Sequence, residues 1–194
     1  MKKILFALLL VSYLGFSQNA NTSYEMIEKS ENQYKIDLQK SIVKNIDFTN
    51  IGPSVMSGRV TDLEVNPKNT TEFYVAYASG GLWHTVNNGT TFNPIMDNST
   101  TQNIGDFDVD WNSRTIYVGT GESNSSRSSY PGIGILKSTD NGKTWTNVGL
   151  RDSHHISRVM INPENSDHVV VAVIGHLYSE NEERGIFVTY DGGK

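Results

Sequence analysis

From residue 58 onward, short apolar runs alternate with turn residues, and the runs fall into three segments of like layout. The first segment holds Gly58-Arg59-Val60-Thr61-Asp62-Leu63-Glu64-Val65, then Phe73-Tyr74-Val75-Ala76-Tyr77, then Gly81-Leu82-Trp83-His84-Thr85. The second has runs at 104–110, 115–120 and 134–138, and the third at 155–163, 169–174 and 185–189. Each run is rich in β-branched and aromatic residues, and the first of each segment alternates apolar with polar positions, as a half-buried strand does. A fourth run, at 91–95 and 144–148, follows in the first two segments and is missing from the last. Residues 24–45 differ: Met26, Ile27, Tyr34, Ile36, Leu38, Ile42 and Val43 are loosely spaced, which predicts a helix with an irregular apolar face.

The segments are punctuated by one repeated turn. Its fullest copy is Ser138-Thr139-Asp140-Asn141-Gly142-Lys143-Thr144-Trp145; an earlier copy places Asn87, Gly89 and Phe92 at matching positions, and a later one Thr189, Asp191 and Gly193. Asn87, Asp140 and Asp191 are 53 and 51 residues apart. A short carboxylate or amide accepts hydrogen bonds from the backbone of the turn that follows it, glycine supplies a positive φ, and the aromatic re-enters a strand and buries its ring. Four short antiparallel strands every ~50 residues describe a β-propeller blade. The expected fold is therefore an all-β propeller of four-stranded antiparallel blades, present as an N-terminal fragment of about three blades, at about 48–96, 97–148 and 149–194, the last incomplete. Propellers close with ~4–8 blades, so a longer protein is expected.

Ahead of the repeats, Lys2 and Lys3 precede an apolar run at 4–16, and Gly15 and Ser17 suit a cleavage site. Residues 1–17 read as a secretory signal peptide, too short to span a bilayer, and 18–47 as a linker or N-terminal arm. The expected location is secreted or extracytoplasmic. The chain has no cysteine, so no disulfide or thiolate chemistry is available. A net charge of −5 argues against a nucleic-acid partner.

The turn resembles the Asp-box, or BNR repeat, of sialidases, xyloglucanase-like glycoside hydrolases, photosystem II assembly factors and the Vps10 domain of sortilin. Ile51-Gly52-Pro53, Ser57-Gly58-Arg59-Val60-Thr61, Gly80-Gly81-Leu82-Trp83, Tyr117-Val118-Gly119-Thr120-Gly121-Glu122 and Glu183-Arg184-Gly185-Ile186 resemble secreted bacterial BNR proteins labelled sortilin-like or glycosyl-hydrolase-like. The resemblance covers about residues 48–194 and implies fold more strongly than function.

In a four-stranded blade the turns joining strands one to two and three to four share one face, and the remaining loops share the other. Those other loops vary in length, with insertions at 122–131 and 176–184. Function concentrates on such variable loops, which places Arg59, Glu122, Arg127, Tyr130, His154, His155, His176 and Tyr178 on a candidate ligand face. Glu122 is either a general acid or base or a hydrogen-bond acceptor. Arg59 either clamps a substrate carboxylate or ties adjacent sheets. His154-His155 lacks metal-ligand spacing, and the alternating Asp106, Asp108 and Asp110 lack the loop spacing of a calcium site, so no metal or cofactor is expected.

The enzymes of the resembling families supply a further test. Sialidases of this kind carry an R-I-P element and three clustered arginines, neither of which is seen here. Xyloglucanase-like hydrolases carry T-D-V-G-G with a catalytic Asp; the comparable Tyr77-Ala78-Ser79-Gly80-Gly81 has Ala78 at that position. The expected function is a sortilin-like binding propeller for protein, peptide or glycan ligands. The alternatives are a glycoside hydrolase with its carboxylates elsewhere, and a structural assembly factor.

Overall fold

The computed structural model describes residues 22–46, 58–124 and 129–194. The expected leader at 1–17, the Ile51-Gly52-Pro53 stretch and Arg127 lie outside the described residues. The expected helix forms as α1 (Tyr24–Lys40), shorter than anticipated because Ser41 turns to ψ 137° and a turn replaces the last residues. None of its residues is buried. Among the described residues, no helix is long and apolar enough to cross a membrane.

The runs of the three segments become strands. They are β1 (Val60–Val65), β2 (Phe73–Tyr77), β3 (Gly81–Thr85), β4 (Asn93–Pro94), β5 (Ile104–Asp110), β6 (Thr115–Thr120), β7 (Ile135–Ser138), β8 (Thr146–Asn147), β9 (Ile156–Asn162), β10 (Asn165–Val173) and β11 (Gly185–Thr189). Consecutive strands pair antiparallel into β1-β2-β3-β4, β5-β6-β7-β8 and β9-β10-β11. The architecture is all-β, and its sheets have the form of propeller blades. β4 and β8 are shorter than the apolar runs that announced them, although the amides of Ile95 and Val148 extend the pairing by donating to Leu82 and Ile135.

The sheets stack face to face. Tyr74, Ala76 and Leu82 of the first sheet meet Phe107, Val109, Ile116, Val118 and Leu136 of the second. On the other side of the second sheet, Tyr117 and Ile135 meet Ile156, Val159, Val169, Val171 and Val173 of the third. The middle sheet is thus covered on both faces, and β6 is buried at every residue. Burying one such aliphatic or aromatic side chain contributes about 1.5–3 kcal/mol, so this double burial dominates the packing energy.

The repeated turn has one hydrogen-bond plan in all three copies. The hydroxyl of Thr85, Ser138 or Thr189 donates to Asn87, Asp140 or Asp191 at 3.0, 2.8 and 2.7 Å, and accepts the amide of Gly89, Gly142 or Gly193 at 3.0, 2.9 and 3.0 Å. Asn88-Gly89, Asn141-Gly142 and Gly192-Gly193 all have positive φ. The acidic or amide oxygen then accepts a backbone amide, from four residues on in the first two copies (Thr91, Thr144) and from three residues on in the last (Lys194). Trp145 is half-buried: its ring packs against the core between the first two sheets, and its indole nitrogen donates to the Ile95 carbonyl at 2.9 Å across the sheet interface.

Candidate functional site

The strand-one-to-two turn and the repeated turn share one face: Asn88 N donates to Thr71 O at 2.8 Å, and Gly192 N to Asp167 O at 2.8 Å. The opposite face carries the variable loops, and there the backbones of adjacent sheets touch. Gly132 N donates to His154 O at 2.6 Å. Gly121, at φ +82°, lies so close that a Cβ there would meet His154 O at 1.7 Å. Only glycine tolerates both conditions, so the loop after β6 and the loop before β9 form one rigid floor.

On that floor stands a chain of polar contacts spanning all three sheets. Arg59, just ahead of β1, donates from its guanidinium to both carboxylate oxygens of Glu122, just after β6. Glu122 is 1% exposed. Arg59 therefore ties adjacent sheets, and Glu122, which had no partner legible in sequence, presents both oxygens to arginine. The Glu122 carbonyl accepts from His155 Nδ1 at 2.7 Å, which leaves Nε2 without the proton in the neutral ring. Burial lowers the His155 pKa and favours that neutral form.

His154 has φ +54°, a strained backbone for a residue with a side chain. Its ring stacks on His176 with centroids 3.5 Å apart and planes 18° apart. Burial, and then the neighbouring His176 imidazole, push His154 down to about 4. His176 Nδ1 lies 2.6 Å from Ser179 Oγ, and Nε2 lies 2.9 Å from Asp152 O and 3.2 Å from Asp152 Oδ1. The 176–184 loop closes on itself: Asn181 bonds His176 N, Asp152 O and Glu183 O, Arg184 donates to His176 O, and Glu183 accepts Asp152 N at 2.7 Å. Tyr130 and Tyr178 project outward, 53% and 84% exposed.

This arrangement revises the reading of the histidines. The dipeptide lacks metal-ligand spacing along the chain, but neither His154 nor His155 lies in a strand, and the fold brings His154 to His176 and Asp152. Their ligand atoms lie within 4.8 Å of one another. Asp152, Asn181 and Glu183 escaped sequence reasoning; the one available signal was that Asp152 shares the His154 loop.

A second polar cluster runs along the first strand of each sheet. Asp106 and Asp108 accept the amides of Val159 and Ile161, each at 2.6 Å, so they cap the free edge of β9 instead of gathering calcium. Asp110 caps its own turn through Asn112 N and Ser113 Oγ. Asp62 and Glu64 occupy the matching places on β1. Burial pushes both Asp106 and Glu64 up to about 7, the neighbouring acids adding to it.

No family model and no curated protein matches the chain. Among solved structures it is similar to an ancestral GH74 enzyme, with 20% identity over 73% of this chain and 18% of that one and a TM-score of 0.53. It is also similar to the GH74 enzyme of Niastella koreensis (25% identity, 57% and 16% coverage, TM-score 0.45) and to YCF48 from Cyanidioschyzon merolae (15%, 69% and 37%, TM-score 0.43). The sheets are β-propeller blades. The chain spans less than a fifth of the two GH74 enzymes and little more than a third of YCF48.

Proposed function

We propose that these blades belong to an exported binding propeller of the sortilin-like BNR kind, whose loop face receives a protein, peptide or glycan ligand. The observation that carries this reading is the convergence of loops from three successive blades on one rigid backbone floor, where Arg59 pairs with Glu122, the Glu122 carbonyl accepts from His155, and His176 holds Asp152 beside them. Tyr130 and Tyr178 offer exposed rings beside it, suited to stacking on a sugar or an apolar side chain. The polar groups of the floor are committed to one another, which fixes the shape of the face and leaves the exposed rings to make contacts.

One observation favours a glycoside hydrolase, the activity class of the GH74 neighbours. Asp106 and Glu64, held near 7, have the protonation of a general acid at neutral pH. Asp106 is 3% exposed and already accepts the Val159 amide, so it is poorly placed to reach a glycosidic oxygen. A screen of the protein against plant and host glycans and a peptide array separates the two readings. Saturable binding without turnover, lost in Tyr130→Ala with Tyr178→Ala, supports the binding propeller; release of reducing sugar, abolished by Glu64→Gln or Asp106→Asn, supports the hydrolase.

A further inference from the structure

We propose that Asp152, His154 and His176 form a binding site for a divalent transition-metal ion of the zinc type, on the loop face of the third blade. Two imidazole nitrogens and one carboxylate oxygen are the ligand set of a zinc site that keeps a fourth position open. The three groups come from the loop before β9 and the loop after β10, and their ligand atoms lie within 4.8 Å of one another. Ligand atoms held tetrahedrally at about 2.0–2.2 Å from one ion lie about 3.4 Å apart, so the site closes by a side-chain movement of about 1–2 Å.

The geometry says which group moves. His176 is held at both ends, by Ser179 Oγ at Nδ1 and by Asp152 at Nε2. Asp152 is held through its backbone, its amide donating to Glu183 and its carbonyl accepting from Asn181. His154 alone of the three makes no hydrogen bond from its ring among the described residues; it is held by stacking on His176. Turning that ring out of the stack aims a lone pair at the space between Asp152 Oδ1 and His176 Nε2. The backbone of His154 is fixed at φ +54° with its carbonyl bonded to Gly132 N, so the ring can turn while the main chain stays in place.

Ser179 can hold His176 in the tautomer that binds metal. A hydroxyl both donates and accepts, so it serves either tautomer of His176. When Nε2 binds metal, Nδ1–H donates to Ser179 Oγ, the outer contact that orients metal-bound histidines. No proton leaves the ring in that exchange of tautomers. The donor set selects the ion: two nitrogens and one oxygen suit zinc, cobalt or nickel, whereas calcium takes 6–8 oxygens. The side chain of Asp152 is 46% exposed, so the fourth position faces solvent and a ligand arriving on the loop face can reach the ion.

The test is equilibrium dialysis of the tag-free full chain against zinc chloride, with cobalt chloride as the spectroscopic probe. The expected result is one zinc per chain, tetrahedral cobalt d–d absorption, and a metal affinity at least tenfold weaker in His154→Gln and in Asp152→Asn. His168→Gln, outside the cluster, keeps full uptake. His176 closes its own loop, so His154→Gln is the deciding variant, and circular dichroism confirms that it folds; if it does not, Asp152→Asn decides. Equal zinc uptake by wild type and the deciding variant, displacement of zinc by calcium, or no stoichiometric uptake by the wild type would overturn the site. This readout needs no organic ligand, so it stands or falls independently of the glycan and peptide screen.

Discussion

Gly142 and Asp106 show what single positions contribute. Gly142 sits at φ +82°, and a Cβ there would lie 2.7 Å from Ile95 Cδ1 on the neighbouring sheet. Gly142→Ala is expected to destabilise the fold by about 1–2 kcal/mol from the left-handed backbone alone, more if Ile95 cannot give way, as chemical denaturation will measure. Asp106 illustrates the opposite balance. Burial first, offset by the Val159 amide and reinforced by Asp62, holds its carboxyl at about 7, above the ordinary value of 3.8. The native state then binds the proton more tightly than the unfolded chain, so the Asp106 contribution is complete below pH 3.8 and is lost as pH rises through 7. Asp106→Asn keeps a carbonyl acceptor for Val159 and removes that loss, flattening the fall in stability between about pH 4 and pH 7 in urea titrations. Asp106→Ala leaves the Val159 amide unpaired and costs about 1–3 kcal/mol at every pH.

Between neighbouring elements, arginine–carboxylate pairs fasten the first two blades at both ends. On the loop face the pair is Arg59 with Glu122; on the turn face it is Arg114 with Glu72, whose carboxylate accepts from the guanidinium at 2.6 and 3.1 Å, from Asn66 at 2.7 Å and contacts His84 at 3.1 Å. The Arg114 hydrogen bonds are the main reason that Glu72 is held down at about 2. A depressed carboxylate contributes stability that is present above its ordinary range near 4.5 and is lost as pH falls toward 2. Glu72→Gln is expected to remove that acid limb and to cost roughly 2–3 kcal/mol at pH 7, since the guanidinium keeps a partly buried charge without its partner. Neither pair was legible in the sequence. Glu72 and Arg114 are 42 residues apart and Arg59 and Glu122 are 63 apart, and no local pattern encodes which arginine meets which acid. The strands were legible, because alternation and turn chemistry act over a few residues; β4 and β8 were overestimated because apolar residues flank two-residue ladders.

At the scale of the molecule, the period of the repeated turn made the blades visible before any contact was known, since each copy must place its hydroxyl, acid and glycine alike. What the period could not convey is where the loops meet. Asp152 and His176 are joined because β9 and β10 pair antiparallel, which sets the loop before β9 beside the loop after β10, 24 residues on in the chain. The outer faces of the stack carry Leu63 and Val65 on one side and Ile186 and Val188 on the other, all exposed, as expected of blades that continue around a ring. The loop face is therefore the surface expected to meet a ligand. Differential hydrogen–deuterium exchange, with and without the tightest binder from the glycan and peptide screen, tests this most directly. Protection confined to residues 121–133, 151–156 and 174–184 is the predicted result. Protection of the repeated turns at 86–92 and 139–145, with the loop face unchanged, would contradict it.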